Sequence, residues 1–158
     1  MTDALLLTKL IHILGAAVLF GTGLGIAFFM YMAHRTGEPA TIAATARVVV
    51  IADALFTATA VMVQPISGAY LAWLIGYSLG ESWIVAALVL YVLVGMCWLP
   101  VVGIQLRLRN IAEDAVKRHV ALPPDYFRLF RLWFWLGWPA FIGVIAIFAL
   151  MIWKPHLW

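Results

Sequence analysis

Charge is what this chain has least of. Of its 158 residues 11% are charged and 66% are hydrophobic. Surface-to-volume scaling leaves a soluble domain of this size too little interior to hide that much apolar surface, so a soluble globular fold is excluded. There is one cysteine, Cys97. It cannot form an intramolecular disulfide, and no Cys-x-x-Cys redox or zinc pattern exists. Set in an apolar run, Cys97 reads as a small buried hydrophobe. No alternating apolar pattern of the kind that builds a transmembrane barrel appears. No nucleophile–base pair and no cluster of metal ligands is visible, which argues against hydrolysis. Met1-Thr2-Asp3 places an acid where a secretory leader carries basic residues, and the apolar run behind it is too long for a leader core, so no cleaved signal is expected.

What remains is lipid-facing sequence. Mean hydropathy is +1.05, and four apolar runs stand out at about residues 4–33, 48–75, 83–106 and 132–153. Each meets the roughly 20 residues needed to cross about 30 Å of hydrocarbon at 1.5 Å per residue. Four spans joined by short connections predict an all-α integral membrane protein, an antiparallel four-helix bundle in one domain over 1–158. Its first partner is the lipid bilayer. Eight Trp and five Tyr suit membrane interfaces and packing inside a bundle. The net charge of +3 is gathered in short stretches, so it reports topology and not nucleic-acid binding.

The cations orient the spans. The first connection carries Arg35 and Arg47; the third carries Arg107, Arg109, Lys117, Arg118, Arg128 and Arg131; the second, 76–82, carries none. That is eight of the ten Lys and Arg, against Lys9 and Lys154 on the other side. By the positive-inside rule, the first and third connections are cytoplasmic and both termini face outward. Residues 105–119 have helical composition, so the third helix is expected to protrude beyond the lipid. Asp125, after Leu122-Pro123-Pro124, is expected to cap the fourth. Arg128 and Arg131 are expected to reach phospholipid head groups, with a specific anionic partner as the alternative.

Polar and ionisable side chains within the spans are few. On the first span His12 shares a helical face with Gly15, Ala16, Leu19 and Gly23, while Ala17, Gly21 and Gly25 form a second small-residue row. Small residues admit close neighbours, either another helix backbone or a flat ligand. Two such rows imply a first helix contacted on both sides and permit a homodimer. His12 reads as a buried histidine bonded across helices, or as an axial haem or metal ligand. His34 and His119 lie at polar boundaries, where solvated histidines are ordinary, and His156 is three residues from the end. On the second span Asp53, Thr57, Ala60, Gln64, Ser67 and Gly68 fall within one arc, a polar seam that should face inward. Asp53 reads as an ion-pair partner of Arg47 or Arg107, or as a group handling protons or contacting substrate. On the third span Tyr91, Gly95, Trp98, Gln105 and Arg109 share a face; on the fourth, Arg131, Trp135 and Trp138 do. Such aromatic stripes pack, or line a pocket for a planar cofactor. Pro65, Pro100 and Pro139 each free the carbonyl four residues earlier, at Val61, Met96 and Trp135, and in lipid such a carbonyl needs a partner.

Three motifs carry a resemblance. Lys9-Leu-Ile-His12-Ile-Leu-Gly15, Val63-Gln64-Pro65-Ile-Ser-Gly68, and Cys97-Trp98-Leu99-Pro100-Val101 with Gln105-Leu-Arg107 together resemble a bacterial family of predicted integral membrane proteins of unknown function. That resemblance implies four membrane helices and the bacterial inner membrane, and assigns no activity. More distantly, the lysine–histidine pair followed by glycines is similar to the first helix of the membrane protoporphyrinogen oxidase and copper-resistance membrane protein families. The oxidase resemblance implies haem binding through His12. Ala27, Phe28 and Phe29 stand where the oxidase pattern has an arginine, and the third span has no lysine, so porphyrinogen oxidation is not implied.

The expectation is therefore a small inner-membrane protein holding haem b or a related planar redox cofactor on His12, for electron transfer or haem metabolism with a redox partner. Gln64, Tyr91 and Trp98 would supply the walls, and Lys9 would pair with a propionate. The alternative is a cofactor-free transport or scaffold protein whose seam of Asp53, Thr57, Gln64 and Ser67 lines a polar path or binds a partner.

Overall fold

The computed structural model describes residues 2–158. Four helices, each long and apolar enough to cross a membrane, account for almost all of it: α1 (Thr2–Thr36), α2 (Pro39–Ile75), α3 (Ser82–Arg118) and α4 (Pro124–Trp153). No strand occurs among the described residues. The expected helical membrane bundle is what forms.

The turns follow from local chemistry. Gly37 has φ +67°, a left-handed conformation that costs a residue without Cβ little, and it lets α2 begin two residues later on Pro39, whose fixed φ suits a first helical position. The first connection, expected over 34–47, is thus almost entirely helix. Gly76 closes α2 at φ +88°, with Tyr77 N–H donating to the Ala72 carbonyl at 2.9 Å, the backbone arrangement of a glycine-stopped helix. The third helix is continuous through the residues expected to be helical beyond its span and runs to Arg118. Asp125 does not cap α4. Pro123 holds that position in extended conformation, Pro124 opens the helix, and Asp125 lies inside the first turn.

Helix α2 is not uniform. Residues Asp53–Thr57 form a π-turn, in which one extra residue shifts the faces before and after it by about 100°. Before the turn, Ile42, Ala43, Ala46 and Val49 are buried and α2 leans on both α1 and α3; after it, α2 leans on α1. Helices α3 and α4 form the other close pair, whereas α1 and α4 barely approach. What joins those two is aromatic: Phe20 stacks on Phe141 at 5.0 Å between centroids, and His34 on Phe130 at 3.6 Å.

The core sits at one end. The large cluster includes Met30, Ile42, Leu108, Ala112, Tyr126 and Trp133, at the level of the first and third connections. The other end has Ala72, Trp83 and Ile84, with Tyr77 and Met151 against them. The second small-residue row of α1 meets no other helix at Gly21 or Gly25. A Cβ on Gly21 would meet nothing within 4 Å, and one on Gly25 would meet the Phe29 ring of its own helix.

Candidate functional site

The seam on α2 faces inward as expected. Asp53, Thr57, Ala60 and Ser67 are buried and Gln64 and Gly68 half-buried, while Leu55, Phe56, Met62 and Ile66 on the far side are exposed to lipid. The seam splits between two neighbours.

The first group joins α1 to α2. His12 Nδ1 and Ser67 Oγ are 2.8 Å apart. The Ser67 hydroxyl has one hydrogen, and the oxygen stands 2.7 Å from the Val63 carbonyl one turn back. With its hydrogen donated there, Ser67 accepts from His12, so Nδ1 carries the ring hydrogen and Nε2 keeps a free lone pair. Gln64 Nε2 donates to the His12 carbonyl at 2.9 Å. Two glycines make this approach possible. A Cβ on Gly15 would stand 2.5 Å from Gln64 Nε2, and one on Gly68 would stand 3.2 Å from His12 Cε1. Of the small residues on the His12 face, Gly15 serves a helix contact, with Gln64 filling the space beside it, whereas a Cβ on Gly23 would meet nothing within 4 Å.

The second group joins α2 to α3. Trp98 Nε1 donates to Asp53 Oδ1 at 3.3 Å. Neither Arg47 nor Arg107 pairs with Asp53. Arg47 bonds Glu113 of α3 at 3.1 Å instead, because α2 and α3 run side by side there and bring the two within reach. Asp53 thus has no cation against it among the described residues. One turn on, the Thr57 hydroxyl is buried without a hydrogen bond of ordinary geometry, and the group it faces is the Asp53 carboxylate. Between the groups, the Tyr91 hydroxyl of α3 donates to the Val61 carbonyl, the one that Pro65 frees.

The residues expected to wall a haem do not encircle His12. Gln64 is beside it, Tyr91 is engaged at Val61, Trp98 is three to four turns away at Asp53, and Lys9 is exposed. His156, the expected same-side second ring, lies beyond the end of α4, where the chain folds back on Ser82. No group of three or more His, Cys, Asp or Glu side chains capable of holding a metal exists among the described residues.

Sequence reasoning placed His34 in solvent, and the structure places it against Phe130, with Nδ1 3.4 Å from the Tyr126 hydroxyl. It also left Gln105 without a partner; Gln105 is 1% exposed and accepts from Trp133 Nε1 at 3.0 Å. Tyr126 and Phe130 are four apart and Phe130 and Trp133 three apart, so a continuous aromatic stripe on α4 was the available signal.

Four membrane helices held by a few buried polar bonds define a polytopic helical integral membrane protein. Residues 6–155 match the model of the family described as "Predicted integral membrane protein (DUF2269)", and the chain belongs to that family. No curated protein and no solved structure matches the chain.

Proposed function

We propose that this protein moves protons across its membrane along α2, as a channel or as the proton-coupled part of a carrier. The observation that carries the reading is Asp53, a carboxylate buried in a membrane helix with an indole for its donor and no cation beside it. A lone ionisable group on the inward face of a membrane helix is costly and marks proton or substrate paths, and π-turns concentrate at functional sites. Polar groups follow Asp53 at one-turn steps: Thr57, the Val61 carbonyl with Tyr91, Gln64, then Ser67 with His12. From Asp53 to Ser67 the rise is about 21 Å at 1.5 Å per residue.

The roles divide by chemistry. Asp53 and His12 Nε2 are the groups that take and release a proton. The hydroxyls of Thr57, Tyr91 and Ser67 lie between them; those of Tyr91 and Ser67 rest on the Val61 and Val63 carbonyls, so each must rotate off its carbonyl to accept a proton on one side and give its own to water or the next group on the other. Gln64 has no transferable proton; it fixes α1 against α2 so that His12 stays on Ser67. Nothing is oxidised or reduced. We place the first and third connections in the cytoplasm of a bacterial inner membrane, because they hold eight of the ten Lys and Arg. Reporter fusions at Ala112 and Gly80 should report inside and outside respectively.

The test is proton flux into liposomes containing the purified protein and a trapped pH dye. The wild type should outpace protein-free vesicles, D53N should lose the flux, and T57V should slow it. Equal flux in D53N and wild type would end the proposal.

The second reading keeps the ligand on His12. It is supported by the free Nε2 lone pair, because a ring whose other nitrogen is bonded to a side chain is how ligating histidines are oriented. The chemistry supplied by a haem b there would be one-electron transfer to a redox partner, with Ser67 fixing the ring. Absorption spectra of wild type and H12A, before and after dithionite, decide it: a Soret band lost in a folded H12A supports ligation, and a colourless protein that takes up no haemin removes it.

A further inference from the structure

Two clefts flank the first turns of α4, at the end of the bundle that carries the first and third connections. One, of about 470 Å³, lies between α1 and α4 and is lined by Arg35 and Arg131 together with Tyr31, Phe127 and Phe134. The other, of about 710 Å³, lies between α3 and α4 and is lined by Arg107, Arg128 and Arg131 together with Leu132 and Trp135. Arg131 borders both. None of these four arginines makes an ion pair among the described residues, where Arg47 pairs with Glu113 and Lys117 with Asp114. Asp125 is the one acid on either wall.

We propose that these clefts form one site for a phospholipid with two phosphates, of the diphosphatidylglycerol type. The proposal is independent of the proton path. Guanidinium forks match phosphate geometry, and basic pockets between membrane helices are where such head groups dock. The pair of clefts decides the number of phosphates. A single phosphate uses one cleft and leaves the other's cations without an anion; two phosphates on a short linker pass either side of α4 and share Arg131. Leu132, Phe134 and Trp135 follow Arg131 along α4, away from the connections, and give the clefts apolar walls on the side where acyl chains must run. His34, stacked on Phe130 and bonded to Tyr126, gives the first cleft a rigid wall.

The experiment is native mass spectrometry of the full-length protein in detergent, titrated with diphosphatidylglycerol, phosphatidylglycerol, phosphatidylcholine and inorganic phosphate. One diphosphatidylglycerol per chain should be retained, at least about fivefold more tightly than phosphatidylglycerol. R131A should weaken it about five- to tenfold, since it borders both clefts; R131K, which keeps the charge and loses the fork, should fall between; R109A, outside both clefts, should match wild type. Melting in lipid-free detergent checks that R131A remains folded. The proposal is overturned if phosphatidylglycerol or phosphatidylcholine binds as tightly, if inorganic phosphate alone displaces the lipid at equal concentration, or if R109A weakens binding as much as R131A.

Discussion

The two ends of this bundle are built on different principles. At the end of the first and third connections, Met30, Ile42, Leu108, Gln105 and Tyr126 are fully buried, and all four helices contribute to one cluster that includes Ala43, Ala46 and Ala112. At the other end the buried cluster is Ala72, Trp83 and Ile84, and cohesion comes from single polar bonds: His12 to Ser67, Gln64 to the His12 carbonyl, and the returning C-terminal segment, where Leu157 N–H donates to Ser82 Oγ at 2.9 Å. In lipid, apolar side chains gain little by leaving their solvent for one another, so helices associate through close packing and hydrogen bonds. The first end uses mainly the former and the second mainly the latter. Seam residues lie in both regimes, with Asp53 at the border of the packed end and His12 in the loose one.

Substitutions break this comparison in a definite order. Leu108→Ala should cost most, about 3 kcal/mol, because its cavity opens where neighbours are locked; the same change at Leu93, half-exposed to lipid, should leave the melting temperature in detergent nearly unchanged. Gln105→Leu comes next. It strands the Trp133 indole N–H inside the packed end, and the loss should be about 2 kcal/mol, the cost of a buried unmade bond, read as an earlier denaturant midpoint. Gly15→Ala should cost about 1 kcal/mol by forcing Gln64 off the His12 carbonyl, with a loosened α1 seen as faster amide exchange near His12. Gly23→Ala, where a Cβ meets nothing within 4 Å, should be silent. Smallest of the measurable losses is that of Arg47→Ala. Its ion pair with Glu113 is solvent-exposed on the arginine side and should contribute at most about 1 kcal/mol, less at high salt. If Gly15→Ala exceeded Leu108→Ala, the loose end would be the one holding the bundle together.

Particular residues show how far periodicity reads. The arc of Asp53, Thr57, Ala60, Gln64 and Ser67 is legible because spacing along one helix fixes which side chains share a face, and lipid forbids that face from pointing outward. The need of the Val61 carbonyl for a partner is legible from Pro65 four residues later. That Tyr91 meets it, that Trp98 and not an arginine meets Asp53, and that Gln105 takes Trp133 are all relations between helices. They depend on crossing and rotation, which no wheel contains. The expected haem wall failed to assemble for the same reason: Gln64, Tyr91 and Trp98 were each placed on an inward face, but inward faces at different depths do not converge.

The sequence by itself determined that there are four membrane helices, which residues of α2 are shielded from lipid and on which end the arginines gather. Each of these is set by hydropathy, chain geometry or the chemistry of one residue with its near neighbours. Only the tertiary structure decided that Gln64 closes the Gly15 face, that Asp53 stands without a cation, and that Arg131 borders two clefts at once. Those outcomes rest on the π-turn at Asp53–Thr57, which re-aims half of α2, and on the gap between α1 and α4, which only aromatic rings cross. Both arise from how whole helices settle against one another, a competition among many weak contacts that no single residue's spacing records.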